Sequence, residues 1–290
     1  MNHSHFLQID DLKLHYLDYN NGKPPLLLLH SLSGNAFIFQ GLIAAGLNNH
    51  YRLLIPDLRG RGFSDHPVGG YSLEQEARDL IAFIDKLGLE RVALCGHSFG
   101  GLLAIYLAAH YPERVTKLIL LDTAVALNPL TPVLISYATA RLLQTYPSWE
   151  FYLSIVRKAP FMYRWDASML PFLQADVKEH EGGYISPRNN WIDITQAALH
   201  VFSITEAEWR RYISAIEAPT QLFYASDPYV HGQHIVPEHK VRETIALLKS
   251  GEDIQVEGNH LTLIFGNGAR QIVQGISATR IKRPRPLVVG

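Results

Sequence analysis

The sequence predicts an α/β fold, a mostly parallel, doubly wound sheet of about eight strands, on three observations. Short runs such as Leu26-Leu27-Leu28-Leu29 are apolar at every position, as in strands buried on both faces. Such runs alternate with stretches of helical spacing, the rhythm of βαβ units. The pentapeptide Gly96-His97-Ser98-Phe99-Gly100 stands between an apolar run, Arg91 to Cys95, and a helix-forming stretch, Gly101 to His110. A chain of 290 residues with 47% hydrophobic residues holds one large α/β domain, or one domain with an insertion.

In chain order, His5 to Ile9 and Leu12 to Tyr19 alternate apolar and polar residues around Asp10-Asp11, predicting a hairpin. Leu26 to His30 is a buried strand, followed by the loop His30-Ser31-Leu32-Ser33-Gly34-Asn35 and a helix over Ala36 to Leu47. Tyr51 to Asp57 is the next strand. After it, Leu58-Arg59-Gly60-Arg61-Gly62-Phe63-Ser64-Asp65 predicts a tight loop, with Asp57 a structural carboxylate that accepts loop N–H groups or pairs with an arginine. Ser72 and Gln75 form a capping-box pattern for a helix that stops at Gly88. The pentapeptide strand, its helix up to Tyr111-Pro112 and a strand over Val115 to Leu121 follow. Thr123 to Pro219 breaks the rhythm. It holds all four tryptophans and predicts helices near 133–144, 148–158, 194–202 and 206–216. Pro219 to Pro228 resumes the sheet. A helix over Val236 to Lys249, a last strand at Asp253 to Val256 and a closing helix over Leu261 to Ile276, interrupted at Gly266-Asn267-Gly268, complete the chain.

Between strand and helix, G-x-S-x-G predicts a sharp turn that projects the Ser98 hydroxyl at the top of a sheet. A serine hydroxyl is a weak nucleophile until a base takes its proton and a third group orients that base. The loop His30 to Asn35 follows a buried strand and supplies a second candidate oxyanion donor, the N–H of Leu32, beside that of Phe99.

Together, His30-Ser31-Leu32-Ser33-Gly34, the Asp57–Asp65 loop and Gly96-His97-Ser98-Phe99-Gly100-Gly101 resemble the α/β-hydrolase superfamily of esterases, lipases and C–C hydrolases. The resemblance covers nearly the whole core. It implies a helical cap inserted after the sixth strand, so that 1–122 and 219–290 form the core and 123–218 the cap. Aromatic residues of the insertion would then shape an apolar pocket, with most of them fastening cap to core. The resemblance implies a triad in the order Ser98, Asp227, His260. Asp227 ends a strand and precedes proline, although Tyr224 stands where the family usually has glycine; His260 lies just past the last strand. Asp122, ending the sixth strand, is the rival acid, because some members take theirs from that position.

The expected chemistry is hydrolysis of a carboxylic ester or lactone of a small to medium apolar substrate through an acyl-enzyme. Cleavage of a C–C bond on the same triad, thioester or acyl-transfer chemistry, and a weakly hydrolytic ligand receptor are the alternatives. The serine argues against haloalkane and epoxide chemistry, for which family members use aspartate.

Lys plus Arg number 26 and Asp plus Glu 27, a balance that argues against a nucleic-acid partner. No dinucleotide or phosphate-loop motif is present, and His231, His234 and His239 lack a tight ligand spacing, so neither cofactor nor metal is expected. Cys95 is the lone cysteine, expected as a small buried residue. With no leader pattern at Met1 to His5 and no apolar run near 20 residues, the expectation is a cytoplasmic protein without a membrane span. The stretch Thr279 to Pro286 is basic with two prolines and reads as extended. Oligomeric state is not legible.

Overall fold

The computed structural model describes residues 3–125 and 128–278; Met1, Asn2 and the basic stretch Thr279–Pro286 lie outside them. The chain opens with β1 (Ser4–Ile9) and β2 (Leu12–Tyr19), an antiparallel hairpin whose turn places Asp10 at φ 49°. Then come β3 (Pro25–Leu29), α1 (Gln40–Ala44), β4 (Arg52–Pro56), α2 (Leu73–Lys86), β5 (Val92–His97), α3 (Phe99–His110) and β6 (Val115–Leu121). Between β6 and the next strand of the main sheet lie α4 (Thr131–Thr139), α5 (Trp149–Arg157), α6 (Leu170–Ala175), β7 (Val177–Glu179), β8 (Ile185–Pro187), α7 (Trp191–Ser203) and α8 (Glu206–Ala215). The chain closes with β9 (Thr220–Ala225), α9 (Glu238–Leu247), β10 (Gly251–Val256) and α10 (Gly266–Ala278).

The main sheet has eight strands in the order β1-β2-β4-β3-β5-β6-β9-β10. From β4 to β10 every pairing is parallel, and only the β1–β2–β4 edge is antiparallel. The all-apolar run Leu26–Leu29 lies in the middle, at most 1% exposed. Burying each leucine contributes about 1.5–3 kcal/mol relative to leaving it in water. Helix α3 is apolar on nearly all sides and buried from Phe99 to Ala108 except at Tyr106, as a helix must be when sheet and neighbouring helices enclose it.

Several local expectations need correction. The predicted helix over 36–47 splits into a 3₁₀ turn (Ala36–Phe39), α1 and a second 3₁₀ turn (Leu47–Asn49), with Gly46 at φ 95° between the last two. The Ser72 hydroxyl caps α2 by accepting from Gln75 N–H at 3.2 Å, but the Gln75 side chain donates to Asp79 instead of returning to Ser72. Gly266 starts α10 rather than interrupting it, after a 3₁₀ turn at Thr262–Ile264. The small hairpin β7–β8 was not expected. Gly182 and Gly183, both at positive φ, make its turn, and the Gly-Gly pair is the signal that marked it.

Candidate active site

Ser98 stands between β5 and α3 at φ 55°, ψ −119°. For a residue with a side chain such backbone strain costs about 1–3 kcal/mol. It persists because strand and helix are held very close. A Cβ on Gly96 would overlap the Gly100 backbone, and one on Gly100 would overlap the Leu29 carbonyl. Glycine at both positions is therefore a requirement of the turn.

The turn presents Ser98 Oγ to His260 Nε2 at 2.8 Å. His260 Nδ1 lies 2.7 Å from Asp122 Oδ2. A carboxylate only accepts, so Nδ1 carries the imidazole proton and Nε2 accepts from the serine hydroxyl. Asp122 is 1% exposed, follows β6 at φ 50°, and is oriented by Ala225 N–H, which donates to Oδ1 at 3.0 Å.

This geometry corrects the expectation for Asp227. Its carboxylate turns outward and accepts from Tyr163 Oη, from Arg164 Nε at 3.0 Å and from Ser226 Oγ at 2.7 Å. Burial pulls its pKa up, but Tyr163, Ser226 and Arg164 outweigh this and hold it below the usual carboxylate value. Asp227 ties the segment between β6 and β9 to the sheet, and the rival Asp122 meets the histidine. The other structural carboxylate, Asp57, accepts N–H groups of Ala36 and Phe63 as expected, but pairs with His15 rather than with an arginine.

The two expected oxyanion donors border Ser98. Phe99 opens α3, so its N–H has no partner within the helix. Leu32 lines the same cavity as Ser98. His30 Nε2 accepts from Leu58 N–H at 3.0 Å, so Nδ1 is the donor, and it donates to Ser31 O at 2.8 Å. Gly34 N–H donates to the same carbonyl at 2.9 Å. In a trans peptide the following N–H points the opposite way, so these bonds turn the Leu32 N–H away from His30. Burial pushes His30 down to about 4, which keeps it neutral in this role. His97 donates from Nε2 to His260 O at 2.6 Å, fixing the backbone that carries His260. Burial, and secondarily the neighbouring His260, push it down to about 3.

A cavity of about 190 Å³ opens over Ser98 and His260. Its walls are largely apolar, with Ile135, Val156, Phe161, Met162, Phe172 and Leu173 supplied by the segment between β6 and β9. None of the tryptophans lines it: Trp209 is buried and packs with Tyr212, and α8 lies on α3 and α9. Most aromatic residues of the segment thus serve packing or lie exposed. His231, one of the three histidines without ligand spacing, bonds to Tyr137 Oη at 2.9 Å.

Sequence reasoning gave no role to three residues that shape the loop over the cavity. Arg61, buried within the protein, donates to Leu32 O at 3.2 Å. Asn189 accepts from Gly62 N–H at 2.8 Å and donates to Ser33 O at 2.9 Å. Arg141 donates to the same Ser33 carbonyl at 2.9 Å. Nothing in the local pattern around Asn189 or Arg141 marks them, because their partners lie more than one hundred residues away.

A strained serine between a parallel strand and a buried helix, with histidine and aspartate brought to it from the ends of other strands, defines an α/β fold with a Ser–His–Asp hydrogen-bond chain at the edge of its sheet. The chain belongs to the family described as the alpha/beta hydrolase fold, whose pattern matches residues 24–258.

Among its relatives is the cis-3-alkyl-4-alkyloxetan-2-one decarboxylase of Shewanella oneidensis, 29% identical over 183 residues, 58% of this chain and 57% of that one. The 3-oxoadipate enol-lactonase 2 of Acinetobacter baylyi is 36% identical over 119 residues, 41% of this chain and 44% of that one. The 2-hydroxy-6-oxononadienedioate/2-hydroxy-6-oxononatrienedioate hydrolase of Paraburkholderia phymatum is 40% identical over 116 residues, covering 38% and 40%. The chain spans about half the length of the curated relatives it matches. Among solved structures, an E-2-(acetamidomethylene)succinate hydrolase superposes with a TM-score of 0.80 at 19% identity, covering 94% of this chain and 97% of that one. The enol-lactonase of Burkholderia xenovorans gives 0.71 at 19% identity, covering 94% and 98%. At such identities the likeness is one of fold. Among the described residues no helix is long and apolar enough to cross a membrane.

Proposed function

We propose that the protein is a serine hydrolase that cleaves a carboxylic ester or lactone carrying a small to medium apolar group. The observation that carries this reading is the continuous chain Ser98 Oγ–His260 Nε2–His260 Nδ1–Asp122 Oδ2, with steps of 2.8 and 2.7 Å, opening into an apolar cavity. Ser98 Oγ attacks the carbonyl carbon while His260 Nε2 takes its proton. Asp122 remains ionised and stabilises the imidazolium. The developing oxyanion is met by the N–H groups of Leu32 and Phe99, each worth roughly 3–4 kcal/mol when well aimed. His260 then protonates the leaving alkoxide. Water attacks the acyl-enzyme with His260 as base, and Ser98 is regenerated.

Residues 123–218 form the cap in this reading, with α4 to α6 roofing the cavity and α8 holding the insertion to the core. Excluding water strengthens every charge interaction at the serine. One relative is named as an enol-lactonase, which supports a lactone or ester carbonyl as the target. The test is turnover of p-nitrophenyl esters of increasing acyl length beside Ser98→Ala. Activity abolished by the substitution supports the reading. Equal rates with the two proteins refute it.

A further inference from the structure

Among the described residues Arg141 is the one lysine or arginine on the cavity wall. In an apolar pocket a lone guanidinium would be a natural partner for a substrate carboxylate. Here it is fully occupied. Nε donates to Asp176 Oδ2 at 2.7 Å and Nη2 to Asp176 Oδ1 at 2.9 Å, a bidentate pair. Nη2 also donates to Ser33 O at 2.9 Å, while Nη1 donates to Ala138 O and reaches Ser33 Oγ at 3.4 Å. A guanidinium has five N–H groups, and these contacts use all five. Asp176 is 1% exposed and its Oδ2 also accepts from Tyr152 Oη at 2.7 Å, so the carboxylate too is held in place.

We infer that Asp176 is a specificity-determining residue: by neutralising Arg141 and occupying its donors, it makes the cavity select uncharged acyl groups and exclude carboxylate-bearing ones. The inference rests on the ester-hydrolase reading of the same site. A carboxylate at the far end of the acyl chain, away from the Leu32 and Phe99 N–H groups, would lose its hydration and find every Arg141 N–H already taken, whereas a methyl group in its place would gain apolar contact. The same pair reaches the loop that carries Leu32, so the cap's charge is used to hold that loop rather than to bind substrate.

The test compares p-nitrophenyl hexanoate with mono-p-nitrophenyl adipate, which differ by a methyl group against a carboxylate at the far end of the acyl chain. The wild-type protein should prefer the hexanoate by about 100-fold in kcat/KM. Asp176→Asn retains the shape but leaves the Arg141 charge unneutralised and one donor free. It should shrink that preference at least about tenfold, mainly through KM for the adipate. Arg141→Met combined with Asp176→Leu removes both charges and should keep the preference high. A wild-type ratio near one overturns the inference, whether or not the variants fold. So does a well-folded Asp176→Asn with an unchanged ratio. Calorimetric binding of hexanamide and of adipic acid monoamide, which carries its carboxylate at the far end, to the wild-type protein separates this inference from the hydrolase reading. Absence of ester turnover with hexanamide bound more tightly sinks only the hydrolase reading. The monoamide bound as tightly as hexanamide, or neither bound, sinks the inference.

Discussion

Replacing Asp122 with asparagine tests which carboxylate serves His260. The substitution changes one oxygen to an amide nitrogen at a side chain that is 1% exposed. Its orientation is set by the protein. Ala225 N–H, 3.0 Å from Oδ1, requires an acceptor, so the amide oxygen stays there and the NH₂ faces His260 Nδ1. Nδ1 must then accept. The imidazole proton moves to Nε2, where it faces Ser98 Oγ, and the base can no longer take the serine proton. A wrong tautomer of this kind costs about 10⁴-fold in kcat, about 5.5 kcal/mol of transition-state stabilisation. Asp227→Asn should cost no more than about threefold, because its partners are Tyr163, Arg164 and Ser226, surface contacts worth about 1 kcal/mol or less. The assay is kcat on a nitrophenyl ester within the linear range, with a thermal melt of each variant. Full activity in Asp122→Asn with collapse in folded Asp227→Asn would refute the reasoning and return the acid to the end of β9.

Further predictions concern the scaffold. Gly100→Ala should destabilise by about 3 kcal/mol or more in urea unfolding, since its Cβ would overlap the Leu29 carbonyl between a central strand and α3. Asn189→Ala should cost about 1–3 kcal/mol by leaving Gly62 N–H unpaired. It should lower kcat more than it raises KM. Asn189→Asp should not restore activity, because it cannot donate to Ser33 O. His30 and His97 have folded pKa values lowered to about 4 and about 3 from an ordinary 6.5. The unfolded chain therefore binds more protons below pH 6.5. The stability these neutral rings contribute is full above that pH and falls as the pH drops toward 4, by up to about 1.4 kcal/mol per pH unit for each ring. Urea midpoints from pH 7.5 to 4.5 should show that slope, shallower by about one proton in His97→Asn; a flat wild-type profile would contradict it.

The fold was legible in the sequence because its signals are local. Leu26–Leu29 is apolar at every position since it is covered on both faces, and Gly96 and Gly100 record a contact between adjacent elements. Ser98 and His260 were legible for the same reason, each tied to the end of its own element. Which acid meets the histidine was not a local matter. Asp122 and Asp227 both follow strands of the parallel sheet, and the resemblance pointed to Asp227, with Asp122 as the rival. The choice fell to tertiary geometry: Ala225 N–H turns Asp122 inward, while Tyr163 and Arg164, arriving from the inserted segment, draw Asp227 outward. The masking of Arg141 by Asp176 is of the same kind, a contact across 35 residues of chain. The sequence alone marked the main strands and helices and the polar groups carried at their ends; long-range contacts decided which of those groups face one another. Hydrophobic periodicity is written residue by residue, whereas the direction of a polar side chain depends on partners that only the folded chain brings near.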